Sequence, residues 1–109
     1  MLLFKKKFLQ AIRAGEKTQT IRLWKHRRMR VGQRSYIPGV GYIRVTVVEE
    51  VELDRLTDSD ARPDGFASAD LLRAELARLY SKQLAAGYQA YRIAFELAPE
   101  LKPLGPVKE

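Results

Sequence analysis

The sequence predicts one α+β domain built on a small sheet of mixed or antiparallel strands, curled or closed into a barrel, with helices covering its open ends. The chain has 109 residues, of which 46% are hydrophobic. This is enough for one compact core and too few for two. Short alternating apolar runs, separated by glycine and proline turns, outnumber the helical patterns, and this balance favours a curled sheet.

The first half of the chain predicts a helix and then strands. Phe4, Phe8 and Ile12 recur at helical spacing with lysines between them, and Gly15 lies where a helix-ending glycine belongs. Alternating β-branched and aromatic residues then predict strands at residues 18–23, 34–38 and 42–51. The glycine-rich connection between the last two strands favours a hairpin.

The second half predicts a short helix, a longer helix and a final strand. Thr57 followed by Asp60 is a variant of the capping box at a helix start. Ser68 caps the longer helix, whose leucine stripe runs to about residues 80–84 before Gly87 breaks it.

Two long strands show the clearest alternation. In the first, Ile43, Val45 and Val47 share one face. In the last, over residues 88–97, the alternating positions are Tyr91, Ile93, Phe95 and Leu97. We expect one domain over residues 1–97 and a proline-containing tail over residues 98–109.

Charge is distributed unevenly along the chain. Residues 1–50 carry 12 Lys or Arg and 3 Asp or Glu, whereas residues 51–109 carry 8 and 10. This asymmetry predicts a basic face that attracts phosphate, although an arginine-rich solvated surface gives the same pattern.

Several classes of protein are disfavoured by composition. The absence of cysteine removes disulfides and thiolate chemistry and fits a reducing cytoplasm, and no apolar run is long enough for a membrane span. We expect no cofactor and no metal, because the spacing of Asp58, Asp60 and Asp64 matches no ligand pattern, and Asp58 and Asp60 fit helix capping better. The chain has no asparagine and many arginines, which hints at a thermophilic origin.

The segment from Gly15 to Arg22 is the main candidate site. Period-two spacing puts Thr20 and Arg22 on one face of the predicted strand, and Lys17 lies at the preceding turn, where its direction is undetermined. Catalysis, ligand binding and a purely structural ion pair with Asp64 all remain open. For catalysis, Thr20 would be the nucleophile and Lys17 its base once burial or Arg22 lowers the lysine pKa.

A second candidate is the basic run that follows. It is predicted as an exposed loop with one aromatic ring, a combination suited to single-stranded nucleic acid. Packing of the tryptophan into the core, with solvated arginines, is the alternative. The candidate contacts are Trp24, Lys25, Arg27, Arg28 and Arg30. His26, within the same run, makes neither a good metal ligand nor a good base.

These residues resemble the ASCH domain family, a relative of the PUA fold. The family pattern is glycine, any residue, lysine, four residues and arginine, and Gly15, Lys17 and Arg22 match it fully. The supporting features are a preceding amphipathic helix, a glycine turn at 31–33, the segment Asp60–Phe66 and the closing strand 91–96. The resemblance covers about residues 3–97 and implies a small PUA-like β-barrel.

The resemblance also implies a function. Members of the family are thought to bind RNA or nucleosides, some deacylate N4-acetylcytidine, and another is reported as a metal-dependent ribonuclease. Carried over by position, the hydrolytic lysine, threonine and glutamate fall at Lys17, Thr20 and Asp64, the last being one methylene shorter. We therefore expect RNA or nucleoside binding beside Gly15, Lys17 and Arg22, with amidohydrolase and ribonuclease activity as alternatives.

Overall fold

The structure is a computed structural model that describes residues 1–98, so the predicted tail lies outside the described residues from position 99 onward. The strands are β1 (Gln19–Trp24), β2 (Arg34–Ile37), β3 (Gly41–Val51) and β4 (Gln89–Leu97). The helices are α1 (Leu9–Arg13), α2 (Asp58–Ala61), α3 (Ala69–Leu79) and α4 (Ser81–Ala85). Single 3₁₀ turns lie at Lys6–Phe8, Leu53–Arg55 and Arg62–Asp64.

All four strands are antiparallel to their neighbours, in the order β1-β4-β3-β2. The sheet curls into a half-barrel, so the predicted α+β class and curled sheet are confirmed, and the pairing is antiparallel rather than mixed. Strand β1 forms one edge of the sheet and β2 the other.

Each face of the sheet has its own apolar cluster. The inner cluster joins the N-terminal segment and α1 to the strands through Leu2, Ile12, Met29, Ile37, Ile43, Val45, Val48, Tyr91, Ile93 and Phe95. The outer cluster joins β1 and β4 to α2 and α3 through Ile21, Leu23, Leu56, Ala61, Ala69, Leu72, Leu76 and Ala90. The N-terminal segment and α3 thus flank β1 from opposite sides.

The predicted faces of β3 are wrong beyond Val45. The register of β3 against β4 shifts between Val45 and Val47, and an inserted residue turns the following side chains over. Val47 is consequently 37% exposed and Val48 only 8%.

The predicted helices begin and end differently in the structure. The first starts at the turn Lys6–Phe8 rather than at Phe4, and the longer helix breaks at Tyr80, whose backbone leaves the helical region at φ −122° and ψ 31°. Leu79, at the end of the predicted leucine stripe, is 40% exposed, and Leu97, predicted as an alternating position of the last strand, is 39% exposed.

The caps predicted in the second half are confirmed. Thr57 and Asp60 form a reciprocal capping box at the start of α2. Ser68 accepts from the Leu71 N–H at the start of α3, and Asp58 accepts from the Ala69 N–H at 2.8 Å.

Candidate functional site

A cavity of about 260 Å³ opens beside the edge strand β1. The N-terminal segment forms one wall and α3 the other. Its lining residues are Leu3, Phe4, Lys5, Phe8, Lys17, Thr20, Ile21, Arg22, Asp64, Phe66, Leu72, Glu75, Leu76, Leu79 and Tyr80. The sequence-predicted residues Lys17, Thr20, Arg22 and Asp64 are therefore brought together, and we call this cavity the pocket.

Two glycine turns bring the two sides of the pocket together. Gly15 has φ +79°, a conformation that costs glycine little, and it turns the chain from α1 towards Lys17. Gly65 has φ +94° and ends the turn that carries Asp64. The Thr18 N–H donates to the Pro63 carbonyl at 2.8 Å, which holds the two segments side by side.

Lys17 and Asp64 form a buried ion pair at the base of the pocket. Lys17 Nζ lies 2.7 Å from Asp64 Oδ1 and also donates to the Asp64 main-chain carbonyl. The two residues are 2% and 3% exposed. The ammonium lies over the rings of Phe8, Phe4 and Phe66, at 4.7, 5.6 and 5.9 Å from their centroids.

Burial works against the charge on both partners. It lowers the pKa of Lys17, with Arg22 adding to the effect and Asp64 opposing it. Burial raises the pKa of Asp64, opposed by Lys17. Asp64 Oδ2 is buried and meets no donor within the geometric limits of a hydrogen bond among the described residues, while the Gln19 side chain favours the charged carboxylate and lowers its pKa.

Thr20 and Arg22 lie on the same face of β1, as the strand spacing predicts. Arg22 Nε donates to Thr20 Oγ1 at 2.9 Å, and its Nη2 donates to the Leu3 carbonyl at 2.6 Å. The guanidinium lies over Phe4 at 4.8 Å. Burial lowers the pKa of Arg22, against the raising effects of Tyr80 and Asp64.

The other predicted contacts do not line the pocket. Gly15 lies in the turn that leads to Lys17. The basic residues Lys25, Arg27, Arg28 and Arg30 lie on an exposed loop, which we call the basic loop (residues 25–30). The assignment of Trp24 to that loop is wrong. It ends β1, and its ring is partly buried, 5.3 Å from Tyr91.

The aromatic walls of the pocket are not predicted by the sequence patterns. The sequence predicts Phe4 and Phe8 only as the apolar stripe of a helix, Phe66 as the last residue of the segment Asp60–Phe66, and Tyr80 as part of a helix end. Phe66 immediately follows the Asp64–Gly65 turn, and this proximity to the candidate acid was the available signal.

Two kinds of feature are absent from residues 1–98. No group of three or more His, Cys, Asp or Glu side chains there is arranged to hold a metal ion. Likewise, none of the helices in this part of the chain has the length and apolar character needed to cross a membrane.

Comparisons with known proteins identify the fold. No family model matches the sequence, and no curated protein matches it. Protein EF3133 from Enterococcus faecalis V583, of the family model DUF984, superposes with a TM-score of 0.70 at 22% identity, over 84% of this chain and 67% of that one. The hypothetical protein PH0355 superposes with a TM-score of 0.72 at 17% identity, over 86% and 94%.

The third similar structure is the ASCH domain from Lactobacillus crispatus JV V101. It has a TM-score of 0.68 and 15% identity, over 81% of this chain and 68% of that one. The chain therefore has the fold of an ASCH domain, as the resemblance over residues 3–97 predicts.

Proposed function

We propose that the pocket binds the base of a nucleoside-type ligand, either free or as part of RNA. The observation that carries this proposal is Asp64, which lines the pocket and whose buried Oδ2 has no geometric hydrogen-bond partner among the described residues. A buried acceptor without a donor costs about 1–3 kcal/mol. A ligand amino or amide N–H that donates to this oxygen would recover that free energy on binding.

The aromatic walls support a flat ligand. Phe4, Phe8, Phe66 and Tyr80 all line the cavity, and stacking on such rings contributes about 1–3 kcal/mol per base. The cavity, about 260 Å³, is slightly below the range of about 300–1,000 Å³ of pockets for drug-sized ligands. Its size therefore suits a base with its sugar at the mouth.

The polar groups of the pocket fit the edge of a heterocycle. Asp64 offers an acceptor, Arg22 offers donors, and the Thr20 hydroxyl can do either. Bases with an exocyclic amino or amide group present a matching sequence of donors and acceptors. The resemblance to the ASCH family points to the same class of ligand.

Calorimetric titration with a nucleoside panel tests this proposal. If the donor to Asp64 is an exocyclic N–H, cytidine, adenosine and N4-acetylcytidine should bind more tightly than uridine and inosine, whose base N–H groups lie within the ring. Asp64→Asn keeps the side-chain size but removes the charged acceptor, and should weaken the N–H-bearing ligands about tenfold.

The matched control is Asp54→Asn, an exposed position that lines none of the pocket, which should leave affinity unchanged. Failure of every nucleoside in the panel to bind would contradict the proposal.

A second candidate is hydrolysis of an acylated nucleoside such as N4-acetylcytidine. It is favoured by the lowered pKa of Lys17, because a buried lysine that loses its proton can act as a base. Thr20 Oγ1, which already accepts from Arg22 Nε, would attack the acyl carbon and pass its proton to Lys17. The acyl C–N bond would then break, with the Lys17 ammonium returning the proton to the leaving nitrogen, and water would hydrolyse the acyl-threonine to release acetate. Asp64 would then hold the leaving amine.

Acetate release from N4-acetylcytidine tests the hydrolase candidate. Lys17→Ala and Thr20→Ala should each abolish release. Lys82→Ala and Thr46→Ala, at exposed positions, should leave it unchanged. Absence of turnover by the wild-type chain, with binding retained, would leave a binding pocket without this chemistry.

A further inference from the structure

The wall of the pocket carries a second carboxylate besides Asp64. Glu75 lies on α3, its side chain is 14% exposed, and it lines the cavity. Asp64 belongs to the buried ion pair at the base of the pocket. The partners of Glu75 are instead Lys5, Lys7 and Arg78, whose side chains are 46, 57 and 59% exposed. Glu75 therefore lies at the mouth of the pocket, where the cavity meets solvent.

Three cations converge on one oxygen of Glu75. Arg78 Nη2 donates to Glu75 Oε2 at 2.9 Å. Lys5 Nζ and Lys7 Nζ lie 3.8 and 3.7 Å from the same oxygen. The hydrogen bond from Arg78 lowers the pKa of Glu75 against the opposing effect of burial, and the charges of the two lysines lower it further. Glu75 is therefore negatively charged at neutral pH, with its carboxylate oriented by Arg78.

These contacts connect the two walls of the pocket. Lys5 and Lys7 belong to the N-terminal segment, whereas Glu75 and Arg78 belong to α3. Of the four side chains, only Lys5 and Glu75 line the cavity. A ligand whose outer end reaches the mouth therefore meets the Glu75 carboxylate, and the ammonium beside it is already paired with that carboxylate.

The protein itself supplies the anion of this cation cluster. Three cations around one oxygen are a typical environment for a bound phosphate, but here a glutamate occupies the position of that oxygen. A second anion placed beside a carboxylate is repelled, which lowers affinity. A neutral hydroxyl group can instead donate a hydrogen bond to the carboxylate. Glu75 therefore opposes a phosphate at the mouth and accommodates a hydroxyl group there.

We propose that Glu75 determines the specificity of the pocket by excluding ligands that place a phosphate at the mouth, so that the pocket takes a free, uncharged nucleoside. This inference rests on the function proposed above and narrows it. With the base against Asp64, the sugar lies at the mouth, and the sugar carries the phosphates of a nucleotide or an RNA strand. Repulsion of the wrong ligand by a fixed charge is a general source of specificity.

Calorimetric titration with cytidine and cytidine 5′-monophosphate tests this selectivity. The wild type should bind cytidine at least about tenfold more tightly than the monophosphate, because the phosphate meets the Glu75 carboxylate. Glu75→Gln keeps the size of the side chain but leaves the three cations without their anion, and should raise affinity for the monophosphate about tenfold. Its affinity for cytidine should stay within about threefold of wild type, because the glutamine carbonyl still accepts a hydrogen bond from a hydroxyl group.

The matched control is Glu52→Gln. Glu52 and Arg55 form a pair with the same three-residue spacing and the same 2.9 Å separation as Glu75 and Arg78, and neither lines the pocket. This variant should keep the wild-type preference for cytidine. Combining Glu75→Gln with glutamine at both mouth lysines, as Lys5→Gln and Lys7→Gln, should remove the gain for the monophosphate, because those cations supply it.

Inorganic phosphate separates this inference from the proposed function. An NMR titration of the isotope-labelled chain at constant ionic strength, followed at the amides of residues 4–8 and 75–78, should show phosphate binding to Glu75→Gln and not to the wild type. Failure of cytidine to bind any of these chains would contradict nucleoside binding, and the difference in phosphate binding would still support exclusion by Glu75. Equal phosphate affinity in the wild type and Glu75→Gln, or an equal preference for cytidine over its monophosphate, would overturn the inference.

Discussion

The pocket and the basic loop are both rich in cations, and they use them in opposite ways. Lys17 and Arg22 are enclosed, and each donates hydrogen bonds to fixed acceptors. Lys25 and Arg28 are exposed in the loop. In the sequence these residues lie within twelve positions of one another and look alike.

Burial determines which property of the protein each charge affects. A buried cation costs desolvation energy, so its partner and its surroundings decide the stability of the fold and the chemistry of the site. An exposed cation costs little to keep and contributes through screened, long-range attraction. Mutations in the pocket should therefore change stability and pH dependence, and mutations in the loop should change salt-dependent binding.

The largest expected effect comes from breaking the buried pair. Asp64→Ala leaves Lys17 buried without its partner and should lower the free energy of unfolding by about 3 kcal/mol, measured by urea denaturation. Replacing both residues, as Lys17→Met with Asp64→Leu, removes the uncompensated charge. The double variant should recover to within about 1 kcal/mol of wild type.

An exposed pair gives the control for this comparison. Glu52 and Arg55 lie 2.9 Å apart with both side chains mostly exposed, and Glu52→Ala should cost no more than about 0.5 kcal/mol. Equal losses for Asp64→Ala and Glu52→Ala would show that burial does not distinguish the two pairs.

The second prediction concerns pH. Burial lowers the pKa of Lys17 below its ordinary 10.5, so the unfolded chain takes up this proton at a higher pH than the folded chain does. The free energy of unfolding should therefore rise with pH from the lowered pKa up to about 10.5. The pKa of Asp64 is raised from 3.8, so the folded chain keeps this proton up to a higher pH than the unfolded chain does. Its contribution to the free energy of unfolding therefore falls as pH rises from about 3.8 to the raised pKa.

Urea midpoints at pH 8, 9 and 10 measure the lysine contribution. The wild type should gain stability relative to Lys17→Met across this range, whereas Lys82→Met, at an exposed position, should follow the wild type. Parallel curves for all three chains would contradict a lowered pKa at Lys17.

Local sequence patterns predicted much of the fold. Alternation identified the strands, the glycine turn predicted the β2–β3 hairpin, and Thr57 and Ser68 marked the helix starts. The bulge after Val45 could not be predicted, because an extra residue in a strand is defined by its partner strand. The break at Tyr80 has no glycine or proline beside it in the sequence to predict it.

The site was predictable only in its local part. Two-residue spacing correctly paired Thr20 with Arg22, since both lie on one strand. The direction of Lys17 depended on Asp64, which is 47 residues away in the chain. The resemblance to the ASCH family connected these two positions, and spacing within the segment could not.

The smallest effects are expected in the basic loop, where substitutions of Arg27 and Arg28 should differ in their effect on stability. Arg27 Nε donates to the Met29 carbonyl at 3.0 Å, and its Nη2 approaches the Val48 carbonyl at 3.4 Å, which ties the loop to β3. Arg27→Gln should therefore cost about 1 kcal/mol of stability. Arg28→Gln, at an exposed neighbouring position, should change it by no more than about 0.5 kcal/mol.

The two loop variants should nevertheless have similar effects on RNA binding. Each removes one cation, and each should lower the salt slope of oligonucleotide binding by about 0.7 if its side chain contacts a phosphate. Urea denaturation and anisotropy on the same samples separate the two properties. An equal loss of stability in Arg28→Gln and Arg27→Gln would contradict a specific stabilising role for the two Arg27 hydrogen bonds. The difference in stability between buried and exposed cations would then depend on the ion pair of Lys17 and Asp64 alone.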